Sequence, residues 1–252
     1  MQLAAETYDT VYARTELRYQ LALADGVSAA TASLRCSGFV APDEPRRVAA
    51  AMRRHLSGCH SGVLVDLGCG AGLFGAQVAA NLGFQLTGFD FSGSAIRLAR
   101  AYVPGGVFSV ATFDRLPLRD ACAAGVMSHD ALYLAATDAA LSEIARVLCR
   151  RAPMIVSTYV SSKLQTWSLV TWQEKLHEHG LLLRSVSDDT RRWRRLMQRK
   201  HRARWNKRHE LISALGPDVA PEIAVSGRMI GADCESSFIA ATSRFLIIAT
   251  RR

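Results

Sequence analysis

No stretch of about 18 uncharged apolar residues occurs in the 252-residue chain, which excludes a membrane-spanning helix of ordinary length. The first 25 residues lack an apolar core and carry Glu6, Asp9, Arg14, Glu16, Arg18 and Asp25. No secretory signal is therefore expected, and the cytoplasm is the expected compartment. None of the six cysteines (Cys36, Cys59, Cys69, Cys122, Cys149, Cys234) makes a C-x-x-C pair, and no histidine cluster stands near one. A zinc site or other metal centre has no basis, and buried thiols are expected instead of a disulfide framework. Neither an internal repeat nor a low-complexity linker divides the chain. With 49% hydrophobic and 21% charged residues, wholesale disorder is excluded as well.

Acid is missing from one segment. Residues 191–209 hold ten Lys or Arg and no Asp or Glu. Outside it, 21 basic residues meet 22 acidic ones, so the formal charge of +9 belongs to this segment alone.

From residue 62 onward, strand and helix patterns alternate. Apolar runs at 63–68, 84–90, 107–112, 125–130, 154–160, 181–187 and 244–250 read as strands. Amphipathic stretches at 73–82, 92–102, 137–148 and 171–180 read as helices. This alternation predicts an α/β fold, a parallel sheet covered on both faces, with ligands at the carboxyl ends of the strands. Residues 1–61 form an expected N-terminal helical cap and 62–187 the core. Residues 188–243 form an expected basic helical lid, and 244–252 the final strand.

The first strand ends in Asp66-Leu67-Gly68-Cys69-Gly70-Ala71-Gly72, and Asp90 closes the second strand. Glycines let a ligand touch the main chain, and an acid at the second strand's end can accept both ribose hydroxyls. The pair reads as nucleoside recognition. Residues 70–75 also fit G-x-G-x-x-G, a dinucleotide pattern. Asp66, however, precedes the turn, and a carboxylate there repels a diphosphate. It suits a cation such as the ammonium and sulfonium of S-adenosylmethionine.

The order VLVDLGCGAGLFG, TGFDFSGSAIRLAR, LPL, MSHDALYL and LSEIARVL resembles the successive motifs of class I S-adenosylmethionine-dependent methyltransferases, closest to the small-molecule and natural-product branch. The resemblance spans roughly residues 62–160. It implies a Rossmann-like seven-stranded sheet with its last strand antiparallel and S-adenosyl-L-methionine as cofactor. The cofactor contacts assigned on this basis are Asp66, Gly68, Cys69, Gly70, Asp90, Phe91, Thr112, Phe113 and Ser128, with Tyr8 covering the methionine end. Two departures stand out. Thr112 replaces a frequent Asp, and CRRAP (149–153) replaces a Pro-Gly-Gly turn, which must be built differently.

Methyl transfer to nitrogen or oxygen needs alignment, exclusion of water and removal of one proton. His129, beside Asp130 at the end of the fourth strand, is the candidate base or acceptor-positioning group; it could equally bond a loop main chain. Tyr12, Tyr133, Lys200, Arg204 and Arg208 are candidate acceptor contacts. On a continuous helix the last three fall within the apolar stripe of Trp193, Leu196, Met197, Leu211 and Leu215. Either the helix breaks near residue 200, or a basic ladder faces the cleft and recognises an acidic or phosphorylated acceptor. The alternative is snorkelling stems with wet heads. His177, His179, His201 and His209 read as exposed and weaker. The expected activity is methylation of a small-molecule acceptor. The rivals are an RNA methyltransferase using the basic segment, with Trp193 and Trp205 stacking on bases, and a non-methylating cyclase binding the same cofactor.

Overall fold

The computed structural model describes residues 12, 14–24, 41–56, 62–135, 137–231 and 238–252. Its strands are β1 (Val63–Leu67), β2 (Gln85–Asp90), β3 (Val107–Val110), β4 (Ala123–Ser128), β5 (Pro153–Ser161), β6 (Leu181–Asp188) and β7 (Thr242–Arg251). They form one seven-stranded sheet in the order β3-β2-β1-β4-β5-β7-β6. All pairings are parallel except those of β7, which lies antiparallel between β5 and β6. This is the sheet the sequence led us to expect.

Nine α-helices accompany it among the described residues: α1 (Thr15–Ala24), α2 (Glu44–Arg53), α3 (Leu73–Leu82), α4 (Gly93–Tyr102), α5 (Asp138–Val147), α6 (Leu169–Glu178), α7 (Thr190–Asn206), α8 (Arg208–Leu215) and α9 (Ala220–Ile230). Their starts follow local chemistry. Ser92, Thr137 and Ser168 cap α4, α5 and α6, each side chain accepting a backbone N–H three residues on. Alternation along the strands sends side chains to two cores. Val65, Leu67, Val126 and Val156 pack with Leu141 and Ile144 of α5 and Trp172 of α6. Leu64, Leu86, Met127 and Ile155 pack with Val48 of α2, Val78 of α3 and Ile96 of α4. Each fully buried side chain of this size stabilises the fold by about 1.5–3 kcal/mol.

Three details differ from the sequence reading. The third strand stops at Val110, so Thr112 lies in a turn, bridged to Arg115. The fourth stops at Ser128, which leaves His129 and Asp130 in the bend beyond it. The CRRAP turn works by placing Arg151 at φ 63°, a left-handed conformation that glycine adopts without strain.

Between β6 and β7 the basic segment is helical. α7 runs unbroken past residue 200 to Asn206, and Lys207 separates it from α8. Its inner face carries Trp193 and Met197, which pack with Met229 of α9, Tyr159 of β5 and Ile239. His201, expected on an exposed stretch, is instead buried and hydrogen-bonded to Ser226 of α9. Burial, then the neighbouring cations, hold its pKa far below the ordinary value. None of the three described cysteines, Cys69, Cys122 and Cys149, is in a disulfide. Among the described residues, no helix is long and apolar enough to cross a membrane.

Candidate active site

β1 is flanked by β2 and β4, and the strand order reverses there, opening a crevice at the strands' carboxyl ends. The glycine turn fills the floor of this crevice. Gly68 N–H and Cys69 N–H both donate to Phe89 O, at 2.7 and 3.0 Å. Gly68 sits at φ +74°, and a Cβ there would stand 2.3 Å from Ala131 Cβ, so no other residue fits. Asp90 accepts from Gly70 N–H through Oδ2 and from Ser92 N–H through Oδ1, both at 2.9 Å. Its carboxylate is thereby locked at the end of β2.

Asp66 is buried in the same floor. A Cβ on Gly75 would lie 2.3 Å from its Oδ2, so that glycine makes room for the carboxyl against α3. Burial, and secondarily the charge of Asp90, push the Asp66 pKa up to about 7, against the opposing pull of His129. A buried carboxyl in this state favours a cation beside it. Burial pushes the Cys69 thiol up too, so it is no nucleophile. Ser128 is structural: its hydroxyl donates to Leu67 O at 2.8 Å and accepts from Leu132 N–H at 3.0 Å. Phe113 packs on the Gly68 turn, 3.4 Å from a Cβ at that glycine. Phe91 and Thr112 are half-buried just beyond β2 and β3.

His129 belongs to a buried ionic clasp. Arg244, on β7 and 2% exposed, is its centre. Its guanidinium contacts Glu44 Oε1 at 2.6 Å, Asp189 Oδ2 at 3.1 Å and Asp130 Oδ1 at 3.1 Å. His129 Nε2 lies 2.9 Å from both Glu44 Oε1 and Arg244 Nη2, and its ring packs 4.0 Å from that of Phe74. Ser157 donates to Asp130 Oδ1 at 2.7 Å and accepts Asp130 N–H at 2.6 Å. Asp130 is held at φ 54°. Burial alone would lower the His129 pKa; the charges of Asp130 and Glu44 outweigh it and raise it. Burial alone would raise Asp130; Arg244 and His129 reverse that and lower it.

The remaining sequence candidates scatter. Tyr8 lies outside the described residues. Tyr12 is buried, and Tyr133 stands edge-on to Tyr159 at 4.9 Å. The basic ladder is not a row of cations awaiting a ligand. Arg204 is 6% exposed, which also rules out a wet head there, and both it and Lys200 have partners. Arg208 turns onto the Trp205 indole, 5.1 Å from its centroid, and donates to Trp205 O. Trp193 is buried and so presents no face to a nucleic-acid base. Sequence reasoning missed Glu44, Ser157, Tyr159, Asp189 and Arg244. Two acids at helix starts and a serine, a tyrosine and an arginine on strands carry no motif. An arginine inside an apolar final strand was the one available signal.

A family model described as a methyltransferase domain matches residues 64–151. A search of curated proteins gave no significant match. Among solved structures, the chain resembles the cyclase SpnF, with 20% identity, TM-score 0.62, and 81% of this chain and 80% of that one covered. It also resembles phosphoethanolamine N-methyltransferase 2 of Haemonchus contortus, with 15% identity, TM-score 0.66, and 81% of this chain but 52% of that one covered. Geranyl diphosphate C-methyltransferase of Streptomyces coelicolor A3(2) aligns at 16% identity and TM-score 0.58, covering 82% of this chain and 77% of that one. Residues 64–151 thus match a methyltransferase domain, and the chain has the fold of S-adenosylmethionine-dependent methyltransferases.

Proposed function

We propose that the protein transfers a methyl group from S-adenosylmethionine to nitrogen or oxygen of a small-molecule acceptor held beneath α7 and α9. The observation that carries this reading is the crevice floor: a glycine turn with no room for a side chain at Gly68, flanked by two buried acids, Asp66 and Asp90. These residues fit the cofactor. Asp90 is the ribose acceptor, Gly68, Cys69 and Gly70 supply main-chain contacts, and Asp66 faces the ammonium. Phe91, Thr112 and Phe113 flank the adenine, with Thr112 in place of the frequent Asp. The bound cofactor supplies an electrophilic methyl on a sulfonium, and its departure needs no acid. The chain's own task is to orient the acceptor, exclude water and take up one proton.

His129 suits the positioning half of that task. Its Nε2 is already engaged by Glu44 Oε1 and Arg244 Nη2, both at 2.9 Å, and its ring is buried against Phe74. It holds the β4 bend, and Asp130 with it, against α2 and β7. The likeness to a cyclase favours one second reading, in which the same cofactor is bound but its methyl is kept. Thermal unfolding tests the proposal: S-adenosylhomocysteine at about 100 times its Kd should add about 2.7 kcal/mol of stability, and NAD none. Stabilisation by NAD alone refutes it. Release of S-adenosylhomocysteine with an amine or phenol acceptor separates transferase from cyclase.

A further inference from the structure

The outer face of α7 carries charge of one sign. Arg191, Arg195, Arg199 and Arg202 are all exposed there, at intervals of four, four and three residues. On a regular helix they fall within about 80° of the circumference and along about 16 Å of the axis. None of the four makes an ion pair or a side-chain hydrogen bond among the described residues. Neighbouring cations are engaged. Arg192 pairs with Asp43, Arg194 donates to Thr242 O at 3.0 Å, Arg204 is buried and Arg208 lies on the Trp205 indole. The acid at the start of α7, Asp189, is taken by Arg47 and Arg244. Like charges at helical spacing repel one another, so the row is held by the opposite face, where Trp193 and Met197 pack against Met229 of α9. It is a fixed cationic ridge, which loses little freedom when a ligand settles on it.

The chemistry of this face selects its partner. Every cation in the row is an arginine, whose planar fork bonds phosphate oxygens in pairs. Gln198 and Asn206, exposed on the same face, add amide donors for the same oxygens. A lipid surface is held by apolar side chains sunk beside the charges, and the largest exposed apolar residue of α7 is Ala203. A protein partner needs aromatic or other large anchors, and Trp193 is buried while Trp205 is covered by Arg208. The same lack leaves a single strand without rings on which to stack its bases. A duplex needs none, because it presents regular phosphate rows with one charge per about 1.7 Å of axis. The major groove of B-DNA, about 12 Å wide, admits the face of an α-helix between two such rows, whereas the deep, narrow groove of duplex RNA does not.

We infer that the outer face of α7 docks the protein on the phosphate backbone of duplex DNA, without regard to sequence, through Arg191, Arg195, Arg199 and Arg202. The surface is turned away from α9, and the docking neither uses the crevice nor depends on the methyl-transfer reading above.

Fluorescence anisotropy of the full chain with a labelled duplex DNA of about 20 base pairs tests this. Binding should be micromolar at low salt, and four phosphate contacts give a slope of log K on log salt of about −3.6. Affinity should therefore fall about 150-fold between about 50 and about 200 mM salt. Duplex RNA and single-stranded DNA of the same sequence should bind more weakly. The variant combining Arg191→Gln, Arg195→Gln, Arg199→Gln and Arg202→Gln should lose the binding while its Tm stays within about 2 °C of the parent, since all four side chains are exposed and unpartnered. Should it not fold, Arg195→Gln with Arg199→Gln should halve the salt slope. Wild-type affinity and slope in the variant that folds overturn the proposal. So does tighter binding of single strands or duplex RNA than of duplex DNA, or capture by phosphatidylserine vesicles with no binding to the duplex.

Discussion

The proposed placement of the cofactor's ammonium beside Asp66 makes cofactor affinity a function of pH. The Asp66 carboxyl is buried under Gly75, with Asp90 of β2 and His129 of the β4 bend as charged neighbours and the neutral Cys69 thiol close by. A pKa of about 7 against 3.8 in the unfolded chain fixes the sign. The folded state holds the extra proton, so this group's contribution to stability is full below about pH 3.8 and is lost as pH rises through about 7. The loss amounts to about 4 kcal/mol at about 1.4 kcal/mol per pKa unit. An ammonium bound beside Asp66 favours the ionised form. Cofactor binding must then release a proton below pH 7 and none well above it.

The magnitude follows from the ionised fraction. At pH 5 about 1% of Asp66 is ionised in the free protein, and at pH 7 about half. S-adenosylhomocysteine should therefore bind about 50-fold more tightly at pH 7 than at pH 5, equivalent to about 2.3 kcal/mol. Above about pH 7 the gain should level off, as Asp66 becomes fully ionised in the free protein. Titration calorimetry in two buffers of different ionisation enthalpy counts the released protons. Asp66→Asn should flatten the profile and abolish the release. A wild-type profile flat from pH 5 to 7, or an equal slope in Asp66→Asn, refutes the placement of the ammonium at Asp66.

Arg244→Met should destabilise the protein by about 3–5 kcal/mol, because Glu44, Asp130 and Asp189 lose the guanidinium they share. At this chain length that is a Tm decrease of roughly 6–20 °C, and a change below about 1 kcal/mol would show that His129 and Arg47 suffice. Arg151→Gly should raise stability by up to about 1 kcal/mol by relieving the left-handed turn, with cofactor affinity unchanged; a loss of stability in chemical denaturation would show that the side chain matters more than the strain.

The parts of the fold that were legible share one property: their signals are local. A run of Val and Leu ending in glycine, a serine before an amphipathic stretch and an acid at a strand end all act over a few residues. Strands β1, β2, β5, β6 and β7 and helices α3 to α6 came out within about two residues of their bounds for that reason. The glycine turn and Asp90 were legible because the crevice binds through main chain and one carboxylate, chemistry that constrains residue type closely. α7 was harder. The stripe of Trp193, Leu196 and Met197 named the face that packs, but sequence alone could not say where the cations within it go. The contact with α9 decided it, burying His201 and Arg204 and leaving Arg191, Arg195, Arg199 and Arg202 outside.

The clasp was invisible because its members come from four widely separated places in the chain, and its consequence is mechanical. Glu44 opens α2, Asp189 precedes α7, and His129 and Asp130 form the bend after β4. All four touch one guanidinium. Lifting α7 away from the sheet separates Asp189 from Arg244 and leaves a buried cation short of one counter-ion. Such a separation is opposed far more strongly in a dry interior than in water. α7, α2 and the bend after β4 are therefore fixed to the core through one residue of the last strand. A change at the Asp130 carboxylate acts on the same guanidinium that holds α7.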